Sequence, residues 1–313
     1  KQGEVEMKDV VGKVAVVTGG GQGIGRALAE RFGAEGMKVV VADVVPALVE
    51  ATTSELSDNG VEVIGVVTDV TSLESVEALR NATLERYGAV HLVCNNAGIG
   101  SGSEGQLWEH HVNDWRWSLD VNVMGVVNGI HAFVPTLLAQ GEEGHVVNTT
   151  SSNGGFTPLI NSAVYATTKA AVTTITECLW GQLREIGAKV SASLLYPSTF
   201  SPGMLNTGIW RPGANRPQQY DRPGAPPQEG RDALGAYLQR MEDAGLEVQF
   251  APLSEVAEIC FEGIVNDTFW ITVPNDRQQQ KIRDRAASQI DRSLPEYLLE
   301  ANMMTSKPID AKS

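Results

Sequence analysis

The chain is poor in the residues that build metal or disulfide scaffolds. Its 313 residues include three cysteines and five histidines. Cys94, Cys178 and Cys260 lie far apart and none forms a Cys-x-x-Cys pair, so neither a zinc ribbon nor a disulfide framework is indicated. Two of the three sit in apolar contexts and are expected to be buried thiols, which fits a reducing, cytoplasmic setting. Adjacent His110 and His111 have no third ligand spaced to join them. They are read as surface histidines, and no metal is expected. Basic residues are also scarce, with 24 Lys and Arg against 38 Asp and Glu, a formal net charge of -14. Such a surface repels a phosphate backbone and anionic lipid, so neither nucleic acid nor a membrane is an expected partner. No run approaches the ~18 apolar residues of a membrane span. What remains is an ordinary globular composition, 42% hydrophobic and 20% charged, long enough for one large domain.

What is present is a regular alternation. Lys13-Val-Ala-Val-Val-Thr18 reads as a buried parallel strand. A glycine turn follows, Gly19-Gly-Gly-Gln22-Gly23-Ile24-Gly25, and then a helical pattern from Arg26. Strand, tight turn and helix N-terminus together make an anion site suited to a pyrophosphate. The second strand ends at Asp43, 24 residues after Gly19, near the spacing of the acid that binds an adenosine ribose. A carboxylate there accepts from both ribose hydroxyls and repels a 2′-phosphate, so NAD is expected over NADP. The alternative is a strand-end cap for the helix opening at Pro46. Helix 46–58, strand 61–67, helix 72–87 and strand 90–94 come next. Asp69 and Val70 are placed where a loop could cover the adenine edge. Asn96, Ala97 and Gly98 follow a central strand and would let a cofactor lie close to the backbone. A long helix starting at Asp114-Trp115 carries Asn122, either a core amide bonded to backbone or part of the site. Strand 144–150, helix 162–186 and strand 189–196 complete the pattern. The fold expected is a doubly wound parallel α/β sheet, Rossmann-like, in a single domain.

Within that frame, Ser151 to Lys169 concentrates the chemistry. Tyr165 and Lys169 are four apart on a helix, hence on one face and one turn apart. An ammonium beside a phenol favours the phenolate and lowers its pKa. A phenol so tuned can exchange a proton with an alcohol or ketone. Ser152, just past a strand, could hold the same substrate oxygen. Thr18, Asp43, Asn96, Ser152 and Pro197 all fall at or just after strand ends, where ligands of such sheets bind.

Thr18-Gly-x-x-x-Gly-Ile-Gly25, Asn95-Asn-Ala-Gly98, Asn122, Ser152 and Tyr165-x-x-x-Lys169 together resemble the short-chain dehydrogenase/reductase family, in its shorter, non-extended branch. The resemblance covers roughly residues 8–197, with a weaker match near 252–273. It implies that Tyr165 is the general acid/base and that Lys169 lowers its pKa and binds the nicotinamide ribose. It implies that Ser152 orients the substrate oxygen and that Asn122 positions a water in a proton relay behind Lys169. Thr18, Gly19, Gln22, Gly23, Ile24, Gly25, Asp43, Asp69, Val70, Asn96, Ala97 and Gly98 would line the cofactor. The implied reaction is hydride transfer between a carbinol carbon and NAD. Where the family has Pro-Gly and then Thr, this chain has Pro197-Ser198-Thr199, which leaves Thr199 and Ser201 as candidates for the carboxamide contact. The family's usual C-terminal ending is replaced by a charged segment, so a homodimer is expected at least as much as a homotetramer.

Residues 198–250 are long for a connection and rich in Pro and Gly. Their apolar members, Phe200, Met204, Leu205, Ile209, Trp210 and Tyr220, suggest a lid for a bulky apolar or aromatic secondary alcohol or ketone. A floppy insertion is the alternative. The domain is expected to span 8–275, with a tail at 1–7 and a helical extension at 276–313. Two other functions share parts of this pattern: a non-catalytic NAD-binding sensor, and a nucleotide-sugar epimerase or dehydratase. The intact Ser152, Tyr165 and Lys169 set argues against the first. The glycine spacing argues against the second.

Overall fold

The computed structural model describes residues 7, 9–100, 102, 105–197, 204–211, 213–225, 233–243, 245 and 248–299. Seven parallel strands form one sheet in the order β3-β2-β1-β4-β5-β6-β7. They are β1 (Val14–Thr18), β2 (Lys38–Asp43), β3 (Val63–Val67), β4 (Leu92–Asn95), β5 (Gly144–Thr149), β6 (Val190–Leu195) and β7 (Trp270–Ile271). Runs such as Val-Ala-Val-Val-Thr become strands because β-branched side chains suit a pleated surface covered on both faces.

Alternate residues of β1 feed different cores. Ala15 and Val17 pack with Leu28, Phe32 and Ile264, under α1 (Gly23–Ala34) and α9 (Leu253–Val265). Val14 and Val16 pack with Leu79, Phe133 and Leu137, under α3 (Leu73–Tyr87) and α5 (Gly125–Gln140). Met7 is 1% exposed and belongs to the first of these cores. The order reverses between β1 and β4, so the crevice beyond their carboxyl ends is the expected ligand site. The register aligns those ends: Thr18 lies opposite Ala42, Asp43 opposite Val67, and Asn95 opposite Asn148.

α2 (Pro46–Asp58) opens with Pro at its first turn, and Asp43 accepts from the backbone N–H of Val45 (3.1 Å). The long helix begins as α4 (Val112–Leu119), passes through a π-helical turn at Asp120–Met124 and continues as α5. His111 caps α4 by accepting from the Asn113 N–H. His110 is half-buried rather than a surface residue, and its ring nitrogens have no partner among the described residues. Among the described residues no His, Cys, Asp or Glu cluster has metal-binding geometry.

Contrary to expectation, one segment is long and apolar enough to cross a membrane, Val112–Gln140. Just over half of its most apolar window, 56%, is buried inside the protein. A helix covered on one side by the sheet and on another by neighbouring helices needs apolar residues around most of its circumference.

Candidate active site

The carboxyl ends of the strands open into one cleft of about 930 Å³, at the upper end of the range for ligand pockets. Its base is the glycine turn. Gly19 has φ +63°, and a Cβ there would come within 2.9 Å of the Ala97 Cα. A Cβ on Gly25 would sit 2.1 Å from the Gly19 carbonyl oxygen. Only glycine lets the turn fold down this closely, and the Gly20 and Gly21 N–H groups bond back to the Ala42 carbonyl (2.9 Å) and to Asp43 (3.2 Å). This cradle is the observation that fits a dinucleotide. Gly19, Gln22, Gly23 and Ile24 line the cleft, together with Asp43, Asp69, Val70, Asn96, Ala97, Gly98 and Pro197.

Two predicted contacts act from behind instead. The Thr18 hydroxyl accepts from the backbone N–H groups of Asn96 (3.0 Å) and Ala97 (3.1 Å) and donates to the Cys94 carbonyl (3.2 Å). It ties the end of β1 to the end of β4 and does not face the cleft. Gly25 is likewise a packing residue, buried against Gly19.

Asp43 is 8% exposed and uses both oxygens, Oδ2 accepting from the Gly21 N–H (3.2 Å) and Oδ1 from the Val45 N–H. It therefore caps the turn and the start of α2, as the alternative reading expects, and also borders the cleft.

Tyr165 and Lys169 lie on α7 (Ala163–Glu185), and both line the cleft with Ser151 and Ser152. Ser152 begins α6 (Ser152–Gly155), a single turn broken at Gly154, whose φ is +103°. A Cβ on Gly154 would lie 2.1 Å from the Ala166 carbonyl oxygen. The serine turn can therefore press against the helix beside Tyr165 only with glycine there. Phe156 stacks on Tyr196, centroids 4.4 Å apart, and supports the turn from below.

The expected lowering of the Tyr165 pKa is not found. Burial pushes the phenol up to about 12, opposed by a side-chain hydrogen bond with Ser151. Lys169 Nζ donates to the Thr149 carbonyl (2.9 Å) and stands 5.7 Å from the Tyr165 ring centroid. Its own burial pulls it down to about 8, which weakens the positive charge that would act on the phenol. Ser151, missed in the sequence, is thus a second hydroxyl at the phenol. Its doublet with Ser152 was the available signal.

Asn122 is fully buried in the π-helical turn. Its amide donates to the Ile99 carbonyl and the Thr168 hydroxyl, both at 3.0 Å, and accepts from the Ile99 N–H at 2.8 Å. It is a core amide bonded to backbone, placed behind Lys169. A Cβ on Gly98 would lie 3.3 Å from Asn122 Oδ1 and 3.4 Å from Lys169 Nζ.

The insertion closes the cleft. Met204 forms an isolated bridge with Phe250, its N–H donating to the Gln249 carbonyl (2.7 Å) and its carbonyl accepting from the Ala251 N–H (2.9 Å). Thr207, Gly208 and Ile209 run over the glycine turn, approaching Gly23, Gln22 and Gly100. Met204, Leu205, Ile209 and Trp210 line the cleft. Trp210 is held by a bond to the Leu205 carbonyl (2.9 Å) and by the Tyr237 ring, 5.7 Å away. Thr199, Phe200 and Ser201 lie outside the described residues.

Tyr220 does not line the cleft. Its hydroxyl donates to Asp120 (2.6 Å), and it belongs to a clamp. Fully buried Asp114 pairs with Arg216 (2.6 Å) and stands 3.2 Å from Arg222 Nε. The Arg216 guanidinium lies 4.4 Å over the Trp117 ring. This clamp fastens the strap of residues 204–225 to α4 and to the turn that follows it.

A family model described as short chain dehydrogenase matches residues 13–212. The chain belongs to the short-chain dehydrogenase family. As an oxidoreductase of that family it is 38% identical, over 197 residues, to an uncharacterized oxidoreductase of Staphylococcus aureus. That match covers 63% of this chain and 80% of the relative. It is 27% identical over 266 residues to a CLA biosynthesis dehydrogenase/reductase of Lactiplantibacillus plantarum, covering 85% and 89% of the two chains. The fold superposes with a TM-score of 0.81 on a short-chain dehydrogenase/reductase from Burkholderia phymatum crystallised with NAD. That pair is 38% identical, with 92% of this chain and 98% of the other covered.

Proposed function

We propose that this short-chain dehydrogenase transfers a hydride between NAD and a bulky, largely apolar secondary alcohol or ketone, with Tyr165 as the general acid/base. The observation that carries this reading is the gathering of Ser151, Ser152, Tyr165 and Lys169 at the wall of the cleft whose base is the glycine cradle. A cofactor-binding sensor has no use for such a set.

The nicotinamide, when bound, supplies the site that accepts or gives the hydride. Gly19, Gln22, Gly23 and Ile24 would hold the pyrophosphate, and Asp43 the adenosine ribose. Lys169 would hold the nicotinamide ribose. In oxidation the carbinol would lose a hydride to the nicotinamide and its hydroxyl proton to Tyr165 in its phenolate form. In reduction both move the other way. The serine hydroxyls hold the substrate oxygen in line with the phenol. A phenol raised by burial is fully protonated near neutral pH and ready to donate to a ketone. Asn122 fixes the backbone at Ile99 and so keeps the floor beside Lys169 in place. NAD is preferred to NADP because Asp43 repels a 2′-phosphate. The 38% identical relative crystallised with NAD supports the same choice.

The test follows reduced nicotinamide by its absorbance across aliphatic, aryl and steroidal secondary alcohols, with Tyr165→Phe in parallel. Turnover by the wild type alone is expected. Equal turnover by the variant would remove Tyr165 from the chemistry. A wild type that prefers NADP would overturn the cofactor assignment.

A further inference from the structure

The turn that carries Ser152 is too short to hold itself. α6 has four residues, with Asn153 and Gly154 off helical geometry, and so small a helix makes too few bonds to offset the backbone freedom it loses. Its amides are nevertheless engaged. The N–H of Gly154 donates to the Thr157 carbonyl (3.1 Å), that of Gly155 to the Ser151 carbonyl (3.0 Å), and those of Phe156 and Thr157 to the Ser152 carbonyl (both 3.2 Å). Contacts from outside must fix this geometry. α7 closes one side, where Gly154 meets Ala166. Tyr196 closes another, stacked on Phe156 and so near Gly155 that a Cβ there would lie 2.6 Å from its ring. The third contact comes from α10 (Asp276–Asp291), the helix that follows β7.

None of the sixteen residues of α10, all among those described, is buried, so core packing does not hold this helix. Gln278, Lys281, Arg285 and Ser288 are half-buried, spaced three and four apart and hence on one face. Gln278 and Lys281 line the cleft. Arg285, one turn on from Lys281, donates from its guanidinium to the Phe156 carbonyl (2.6 Å). A carbonyl at a helix end has no partner within its own helix, and a guanidinium makes the stronger, charge-assisted kind of bond to it. Phe156 is then gripped at its ring, its N–H and its carbonyl, and its N–H leads directly to the Ser152 carbonyl.

Building on the proposed hydride transfer, we infer that Arg285 is a positioning residue for the reaction. It does not itself line the cleft. It acts through the Phe156 peptide on Ser152, holding that hydroxyl in line with the Tyr165 phenol, and it makes α10 a wall of the active site. Small displacements matter here, because a misplacement of about 1 Å in a reacting geometry can cost about 10²-fold in rate.

The experiment compares wild type, Arg285→Ala, Arg283→Ala, Ser152→Ala and the double variant Ser152→Ala/Arg285→Ala, all as the full chain with NAD. Arg283 is exposed, does not line the cleft and bonds within α10 to Gln279 (3.3 Å), so it controls for loss of a cation from the helix. Amide hydrogen exchange of residues 153–157 reads the turn without any substrate. Oxidation of 1-phenylethanol and 2-octanol reads the reaction, and NADH fluorescence reads cofactor binding. Arg285→Ala should speed exchange of the turn by at least about tenfold, lower kcat by about 10–10²-fold and leave the NADH dissociation constant within about twofold. Removing Arg285 from Ser152→Ala should change turnover by less than about threefold, because a residue that acts through Ser152 then has nothing left to position. A general loosening of the fold would instead cost the same in both backgrounds. Unchanged exchange in Arg285→Ala, equal acceleration in Arg283→Ala, or a loss of rate independent of Ser152 overturns the inference. Faster exchange confined to Arg285→Ala, with no wild-type turnover of either alcohol, would keep Arg285 as the anchor of the turn and count against hydride transfer on these alcohols.

Discussion

The two ends of the cleft are built by different means. At the adenosine end every functional group hangs from a strand terminus or the turn directly after it. Thr18, Asp43 and Asn96 are placed by the register of β1, β2 and β4, and the bonds that hold them run to neighbouring strand ends. At the substrate end the groups come from a strap and a helix that reach back across the fold. Arg216 meets Asp114 across 102 positions, and Arg285 meets Phe156 across 129. The first construction is rigid because the sheet must exist for the chain to fold at all. The second is held by a few polar contacts that could differ while the sheet stays the same. Under the proposed function, the difference teaches where specificity would reside: a fixed cofactor platform would carry a replaceable substrate cover.

That comparison can be broken or sharpened by substitution. The largest effect is expected at the junction of the two ends. Tyr165→Phe should lower turnover by about 10²–10⁴ while leaving the NAD dissociation constant, read by fluorescence titration, nearly unchanged. A parallel loss of NAD affinity would mean that the two ends are not separable. Next comes the clamp. Asp114→Ala leaves two arginines without their buried carboxylate and should cost about 3 kcal/mol if the strap unfolds together with the sheet. If the strap is a separable cover, proteolysis within 204–225 should rise and the substrate KM should increase, with much less change in the melting of the sheet.

At the adenosine end, Asp43→Ala should narrow the NAD over NADP preference by roughly tenfold, the worth of a charged hydrogen bond, without changing which alcohols are accepted. Altered alcohol selectivity there would contradict the division. The smallest effect concerns pH. Burial lowers Lys169 to about 8, so between pH 8 and the ordinary lysine value near 10.5 the unfolded chain binds a proton that the folded chain does not. Stability contributed by this group therefore rises with pH across that window. Tyr165, raised to about 12, works in the opposite sense above its ordinary value near 10. The stability difference between wild type and Lys169→Met, measured by urea unfolding from pH 7 to 10, should shift in favour of the wild type as pH rises.

The same contrast explains what could be read in the sequence. Continuous apolar, β-branched runs and glycine turns are local signals, so the strands, the order of helices and the glycine cradle were all legible, and α2 begins and ends where the pattern places it. The pairing of Tyr165 with Lys169 was legible as spacing, but the direction of the phenol's shift was not. That direction depends on burial and on Lys169 turning to the Thr149 carbonyl, both set by tertiary structure. Thr18 was legible as a residue of the glycine motif but not in role, because its bonds run to the end of β4 and the residues after it, 76 to 79 positions away. The clamp on Asp114 left no local signature, because its partner Arg216 lies 102 positions away.

One further consequence follows from the π-helical turn at Asp120–Met124. A π turn holds one residue more than the α geometry around it, so the helix before it is out of phase with the helix after it by about 100°. Before the turn, Asp114 and Trp117 meet the strap. After it, Gly129 closes on Asn95, where a Cβ would stand 2.0 Å from the Asn95 side-chain oxygen. The length of this helix is therefore itself information. Removing one residue anywhere between the two contacts would rotate one half against the other and point either the clamp or the floor of the cleft the wrong way, although every remaining side chain would still be present.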